Sequence, residues 1–309
     1  MRIGAIFPQT EIGPDPGAAR AFAQAAEDLG YDHLLVYDHV LGANPAGRQG
    51  WSGPYDQTHM FHEPFVLYGY LAGLTKTIEL TTGIIILPQR QTVLVAKQAS
   101  AVDVFSGGRM RLGIGIGWTE AEYEALGENF HNRGVRSEEQ IDVLKALFAD
   151  PLVTYDGKWH RISDAGLNPM PVQRPIPIWM GGGSAASVRT STDSDRAKRT
   201  GPNEKVMRRI ARLGDGWFPQ FPATEAGREQ MELMRGYVRE GGREAEAFGI
   251  EGRISLSQRE GEDEWGDDFG RWREYGATHV GFVTMNVGLK GPDAHIDAIR
   301  RFKAAVDGA

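Results

Sequence analysis

The 309-residue sequence contains no cysteine. Thiol nucleophiles, disulfides, cysteine-ligated zinc, iron–sulfur clusters and covalently attached haem are thereby excluded. Positive charge is not in excess either: 34 Lys and Arg stand against 41 Asp and Glu, a formal net charge of −7. That balance argues against a nucleic-acid partner, because phosphate-backbone binding needs clustered Lys and Arg. No apolar run reaches the ~18 residues that a membrane-spanning helix needs, so no membrane partner is expected. The opening Met1-Arg2-Ile3-Gly4-Ala5-Ile6-Phe7-Pro8 is too short for a signal-peptide core and reads as a strand, so the expected location is the cytoplasm. No Gly-Lys-Ser/Thr triplet and no Gly-x-Ser-x-Gly elbow occurs. P-loop and serine-hydrolase chemistry therefore have no support.

What is present is an alternation of short apolar runs with amphipathic ones. The patterning predicts strands at Arg2–Phe7, His33–Tyr37, Ile78–Leu87, Met110–Ile116, Ile176–Met180, Gly216–Pro219, Arg253–Ser257 and His279–Met285. Helices follow most of them. After Pro16-Gly17, the residues Ala18, Ala21, Phe22, Ala25, Ala26 and Leu29 recur at helical spacing, and Gly30 is placed to end the helix. Glu63-Pro64 has the form of a helix start. Further helices are expected over Val93–Phe105, Ser137–Phe148, Glu204–Leu213 and Asp293–Val306, with a hairpin around Asp156-Gly157. Eight strands that read as continuous apolar runs imply a parallel sheet buried on both faces, and so a (β/α)8 barrel with insertions in its βα loops. A single domain over 1–309 is expected, with 184–204, poor in large apolar residues, as a mobile insertion.

Function in such barrels lies at the C-terminal ends of the strands. That rule selects Pro8-Gln9, Asp38-His39, Leu87–Arg90, Gly117-Trp118, Gly181–Ser184 and Phe218–Gln220. A carboxylate beside an imidazole, as in Asp38-His39, suits general acid–base chemistry, although adjacent side chains on extended backbone point to opposite faces. Gly181-Gly182-Gly183-Ser184 offers consecutive amides and a hydroxyl to an anion such as phosphate; the plainer reading is a flexible turn. Gly113-x-Gly115-x-Gly117 fails the dinucleotide fingerprint because Trp118 stands where the third glycine belongs. Those glycines serve either close packing at the rim or the approach of a flat ring. His59, His62 and Glu63 have the spacing H-x-x-H-E, which matches no zinc-protease motif, and no metal is expected. His33, His131, His160, His279 and His295 show no partner pattern.

In order along nearly the whole chain, several segments resemble the luciferase-like family of flavin- and deazaflavin-dependent enzymes. They are Pro8-Gln9, Leu35-Val36-Tyr37-Asp38-His39, Glu79–Arg90, Ala96-Lys97-Gln98-Ala99, Ser106–Trp118, Pro175–Ser184 and Arg212–Trp217. The pattern is most similar to the branch that uses coenzyme F-420. The resemblance implies a barrel whose mouth binds F-420 or FMN, the ring lying against a strand-three bulge at Gly83 and Ile84, where the family often has a non-prolyl cis peptide. It implies that Gly181, Gly182, Gly183 and Ser184 hold the cofactor phosphate, that Asp38 contacts the cofactor, and that His39 transfers a proton. It also implies a homodimer.

Departures narrow the substrate. The family's sugar-phosphate dehydrogenases have a tryptophan shortly after the histidine, where this chain has Ala43 and Asn44. They have a glutamate directly after the strand-four glycines, where this chain has Trp118, with Glu120 and Glu122 beyond. Gln9 and Trp118 are therefore assigned to a pocket for a small organic substrate, and Arg189, Arg196 and Lys198 of the insertion to the charged tail of F-420. The expected function is hydride transfer between F-420 and that substrate, with His39 as the catalytic residue. The alternatives are a monooxygenase that takes reduced FMN from a separate flavin or deazaflavin reductase, and a non-catalytic flavin-binding protein.

Overall fold

The computed structural model describes residues 1–48, 53–183, 203–258 and 261–307. Its strands are β1 (Arg2–Ile6), β2 (His33–Val36), β3 (Glu79–Thr82), β4 (Ile85–Ile86), β5 (Met110–Gly115), β6 (Val153–Asp156), β7 (Arg161–Ala165), β8 (Ile178–Gly181), β9 (Gly216–Phe218), β10 (Gly249–Ser255) and β11 (His279–Val283). Its helices are α1 (Pro16–Asp28), α2 (Pro64–Ala72), α3 (Thr92–Ser106), α4 (Glu120–Ala125), α5 (Arg133–Ala149), α6 (Glu204–Leu213), α7 (Glu225–Glu240), α8 (Glu262–Glu274) and α9 (Gly291–Asp307). Parallel strands alternating with helices, β3 and β4 being halves of one strand, make the (β/α)8 barrel that the sequence pattern predicts. No helix among the described residues is long and apolar enough to cross a membrane.

The chain divides into two units, Met1–Val36 with Trp179–Ala309, and Tyr37–Ile178. In the first, β1 pairs in parallel with β2 and β11, β10 with β11 and β9, and β9 with β8. Helix α1 starts on an Asp15 cap with Pro16 in its first turn, and Gly30 beyond its end has a φ of 77°, as its sequence pattern predicts. Strand β10 begins four residues before the predicted Arg253. The added stretch holds two glycines that are close-approach positions. A Cβ on Gly249 would lie 2.0 Å from the Trp179 ring, and one on Gly252 2.3 Å from Trp272. Helices α7 and α8 flank this strand in sequence and are not among the predicted helices.

In the second unit β3 and β4 both pair with β5, and β6–β7 is the antiparallel hairpin. Leu80 and Thr81 stand opposite Met110 and Arg111, but Ile85 and Ile86 stand opposite Ile114 and Gly115. The register thus slips by one residue between Thr81 and Ile85, which is the mark of a bulge.

Two histidines that showed no partner pattern in sequence are buried beside carboxylates. His33 Nε2 lies 2.8 Å from Glu251 Oε1, both side chains out of solvent. His295 is fully buried, with Nδ1 2.8 Å from Thr284 Oγ1 and Nε2 3.7 Å from Glu11 Oε2. Burial lowers its pKa from 6.5 to about 4. Between those values the unfolded chain takes up a proton at this position and the folded chain does not, so stability falls as pH drops through the window. Urea unfolding at pH 7 and pH 4.5 should show the native chain losing about 2–3 kcal/mol more than a His295→Gln variant does. Equal losses would contradict the assignment.

Candidate functional site

Asp38 and His39 follow β2, and their side chains part. The Asp38 carboxylate turns to the bulge, accepting from the Ile86 N–H at 3.0 Å and from Arg90 Nη2 at 2.8 Å. Burial pushes this carboxyl up, while the Arg90 charge and the two hydrogen bonds pull it down; burial prevails. Arg90 Nη1 donates to Glu63 Oε1 at 2.8 Å, and the other oxygen of Glu63 caps α2 at the Val66 N–H. Asp38 thus ties the bulge to the helix starts. The peptide bond between Gly83 and Ile84 is cis, and both residues are partly exposed.

Two of the three glycines in the Gly113-x-Gly115-x-Gly117 run are explained by this bulge. A Cβ on Gly115 would lie 2.4 Å from Ile84 Cδ1, and one on Gly117 2.7 Å from Ile86 Cγ2. Close packing, one of the two readings of the glycine run, accounts for both positions.

His39 turns the other way. Its Nδ1 lies 3.3 Å from Glu122 Oε1, which also accepts from the Val40 N–H at 2.8 Å. Gln89 Nε2 donates to Glu122 Oε2 at 3.3 Å. Glu122 is fully buried. Burial alone would push its carboxyl up, but the His39 hydrogen bond and charge, the Val40 N–H and Gln89 outweigh it and hold the group below the ordinary carboxylate range. With Nδ1 engaged by an ionised carboxylate, Nε2 is the nitrogen left for chemistry. Aromatic edges surround the imidazole: Phe61 at 4.8 Å, Tyr55 at 5.2 Å and Trp118 at 5.9 Å between ring centroids. His39 lines two cavities. One, of about 80 Å³, is shared with Tyr55, His59, Phe61 and Thr119. The other, of about 440 Å³, is shared with Gln89, Arg90, Leu94 and Leu126 and falls in the range of ligand pockets.

The other predicted residues are placed as follows. Trp118 stands beside His39, as above. Gln9 is fully buried in the unit of β1. His59 Nδ1 pairs with Asp56 at 2.9 Å and Glu63 serves as the α2 cap. Among the described residues no three His, Cys, Asp or Glu side chains gather as for a metal ion. Gly181 ends β8, and Gly182 and Gly183 have φ values of 155° and 85°. Both values disfavour a side chain at these positions. Ser184, Arg189, Arg196 and Lys198 lie outside the described residues, as does nearly all of 184–204.

A family model for luciferase-like monooxygenases matches residues 2–193. The chain belongs to the luciferase-like monooxygenase family. It is an enzyme of the flavin- or deazaflavin-dependent oxidoreductase and monooxygenase class. An uncharacterized protein of Mycobacterium tuberculosis is 30% identical over 201 residues, covering 62% of this chain and 69% of the relative. An FMNH(2)-dependent dimethylsulfone monooxygenase of Pseudomonas putida is 30% identical over 173 residues, 55% of this chain and 44% of that protein. Two solved structures share the fold. The EDTA monooxygenase of Chelativorans sp. BNC1 has a TM-score of 0.75 at 13% identity, over 100% of this chain and 93% of that one. An F420-dependent secondary alcohol dehydrogenase has 0.70 at 16% identity, over 99% of this chain and 98% of that one.

Glu122 and Gln89 are the site residues that the sequence did not single out as partners of His39. A signal for Glu122 was available. Thr119-Glu120-Ala121-Glu122 has the T-x-x-E spacing of a capping box, but its glutamate serves His39 instead.

Proposed function

We propose that this enzyme transfers a hydride between coenzyme F-420 and a small organic substrate, with His39 exchanging the accompanying proton. The observation that supports this reading is the imidazole held by a buried, ionised Glu122 on the wall of a cavity. Reducing a carbonyl consumes one hydride and one proton; the reverse releases both. A bound deazaflavin supplies or accepts the hydride. His39 Nε2 delivers the proton to the substrate oxygen or removes it, and Glu122 stabilises the imidazolium in between. Gly181, Gly182, Gly183 and Ser184 would hold the cofactor phosphate, and Gly83, Ile84 and Asp38 would meet its ring. Gln9 and Trp118 would line the pocket for the substrate, Trp118 from beside the imidazole. The expected assembly is a homodimer.

A second reading is a monooxygenase that uses reduced FMN from a separate reductase, favoured by the likeness to the dimethylsulfone enzyme. The two separate in air. With reduced F-420 and a panel of small carbonyl compounds, the absorbance of the oxidised cofactor should return without oxygen uptake. Oxygen uptake with reduced FMN and no such return would overturn the first reading in favour of the second.

A further inference from the structure

At the bulge, main-chain pairing with β5 is replaced by one side chain. Between the pairs Thr81–Arg111 and Ile85–Ile114, the residues Thr82, Gly83 and Ile84 face only Leu112 and Gly113. In a regular parallel ladder the Gly113 N–H and C=O would bond to main-chain groups of the facing strand. Here both go to the Thr82 hydroxyl. It accepts from the Gly113 N–H at 2.9 Å and donates to the Gly113 carbonyl at 2.7 Å. A hydroxyl donates and accepts at once, so one buried side chain stands in for both ladder bonds. On the far side of the bulge the Asp38 carboxylate takes the Ile86 N–H at 3.0 Å. Gly83 and Ile84, between these two anchors, are the two residues from Leu80 to Gln89 that are not buried. The strand is thus pinned on both sides of a short segment that it presents to open space. Bulges beside active sites commonly re-aim a strand in this way.

We propose that Thr82 is a positioning residue of the reaction, its hydroxyl fixing the bulge so that Gly83 and Ile84 form the surface on which the cofactor ring rests. The proposal rests on the reading of Gly83 and Ile84 as ring-facing residues. Without the hydroxyl, a buried N–H and a buried C=O of β5 lose their partners. They regain ladder bonds only if the facing strand slides, and sliding moves the very segment that is presented. Valine matches threonine in shape but neither donates nor accepts, whereas serine keeps the hydroxyl. The two substitutions therefore separate bonding from packing.

The test uses two rings that carry no phosphate, riboflavin and 5-deazariboflavin, so that binding reads the ring surface apart from any phosphate site. Fluorescence titrations and amide hydrogen exchange at Gly113 and Ile86, read by NMR, are compared in the native chain, Thr82→Val and Thr82→Ser. In Thr82→Val the Gly113 amide should exchange about tenfold faster and ring affinity should fall about tenfold. Thr82→Ser should stay within about threefold of native in both. In the native chain a saturating ring should slow exchange at Gly113 and Ile86, because ring and anchors favour the same bulge; this arm stands even where Thr82→Val does not fold. A hydroxyl that served stability alone would lower the urea midpoint of Thr82→Val and leave the ring affinity of the folded variant native-like, which overturns the proposal. So does Gly113 exchange that responds neither to Thr82→Val nor to the ring, or a native chain that binds neither ring. Exchange in the free protein needs no ligand, so a failed anchor and a failed ring site give different results.

Discussion

Replacing His39 with Asn should lower turnover by about 10²–10⁴-fold while cofactor affinity changes by no more than a few-fold. The amide fills much of the imidazole's space but exchanges no proton. Glu122 stays buried and ionised beside it, still anchored by the Val40 N–H and Gln89. The ring-facing residues proposed for the cofactor, Gly83, Ile84 and Asp38, are untouched, because Asp38 turns away from His39 to the bulge. Steady-state rates at saturating cofactor, beside a cofactor titration of the same sample, provide the check. Turnover within twofold of native would remove His39 from the chemistry. Equal losses of turnover and of cofactor affinity would make it a binding residue.

The second large effect is on stability. Asp38→Ala should destabilise the protein by about 3–5 kcal/mol, because it strands a largely buried guanidinium. Arg90 retains Glu63, but Glu63 is on the partly exposed side of the network, whereas the Asp38 carboxylate is 1% exposed. The Ile86 N–H also loses its acceptor, at the bulge. Asp38→Asn keeps an acceptor for that N–H and should lose less. Joint replacement of Asp38 by Leu and Arg90 by Met should recover part of the loss, since it removes the stranded charge and leaves unpaired the amide and a Glu63 oxygen on the partly exposed side. Urea unfolding curves of the three variants make the comparison. A loss under about 1 kcal/mol for Asp38→Ala would place the pair among solvent-screened ion pairs.

What the sequence revealed, and what it hid, follows from the range of each interaction. The barrel was legible because a parallel strand buried on both faces shows as a continuous apolar run, and each run has its own local boundaries. Pro16 and Gly30 around α1 and the Glu63 cap of α2 are likewise local signals, and the structure uses them. Gly249 and Gly252 carry no local sign that each lies against a tryptophan ring distant in sequence. The strand predicted from Arg253 therefore lacks the first four residues of β10. The site was half legible. Asp38-His39 stands out as a dipeptide, but which side chain faces the cavity depends on backbone direction. The Glu122 partner lies 83 residues from His39, and no periodicity links them. Gly115 and Gly117 are ambiguous in sequence because packing and ligand approach make the same demand for a missing Cβ. Only the position of Ile84 and Ile86 decides for packing.

The most direct test of the central claim is a side-by-side fluorescence titration of the purified protein with coenzyme F-420 and with FMN, each oxidised and reduced. Saturable binding that prefers the deazaflavin is expected. Preference for reduced FMN, or binding of neither, would contradict it.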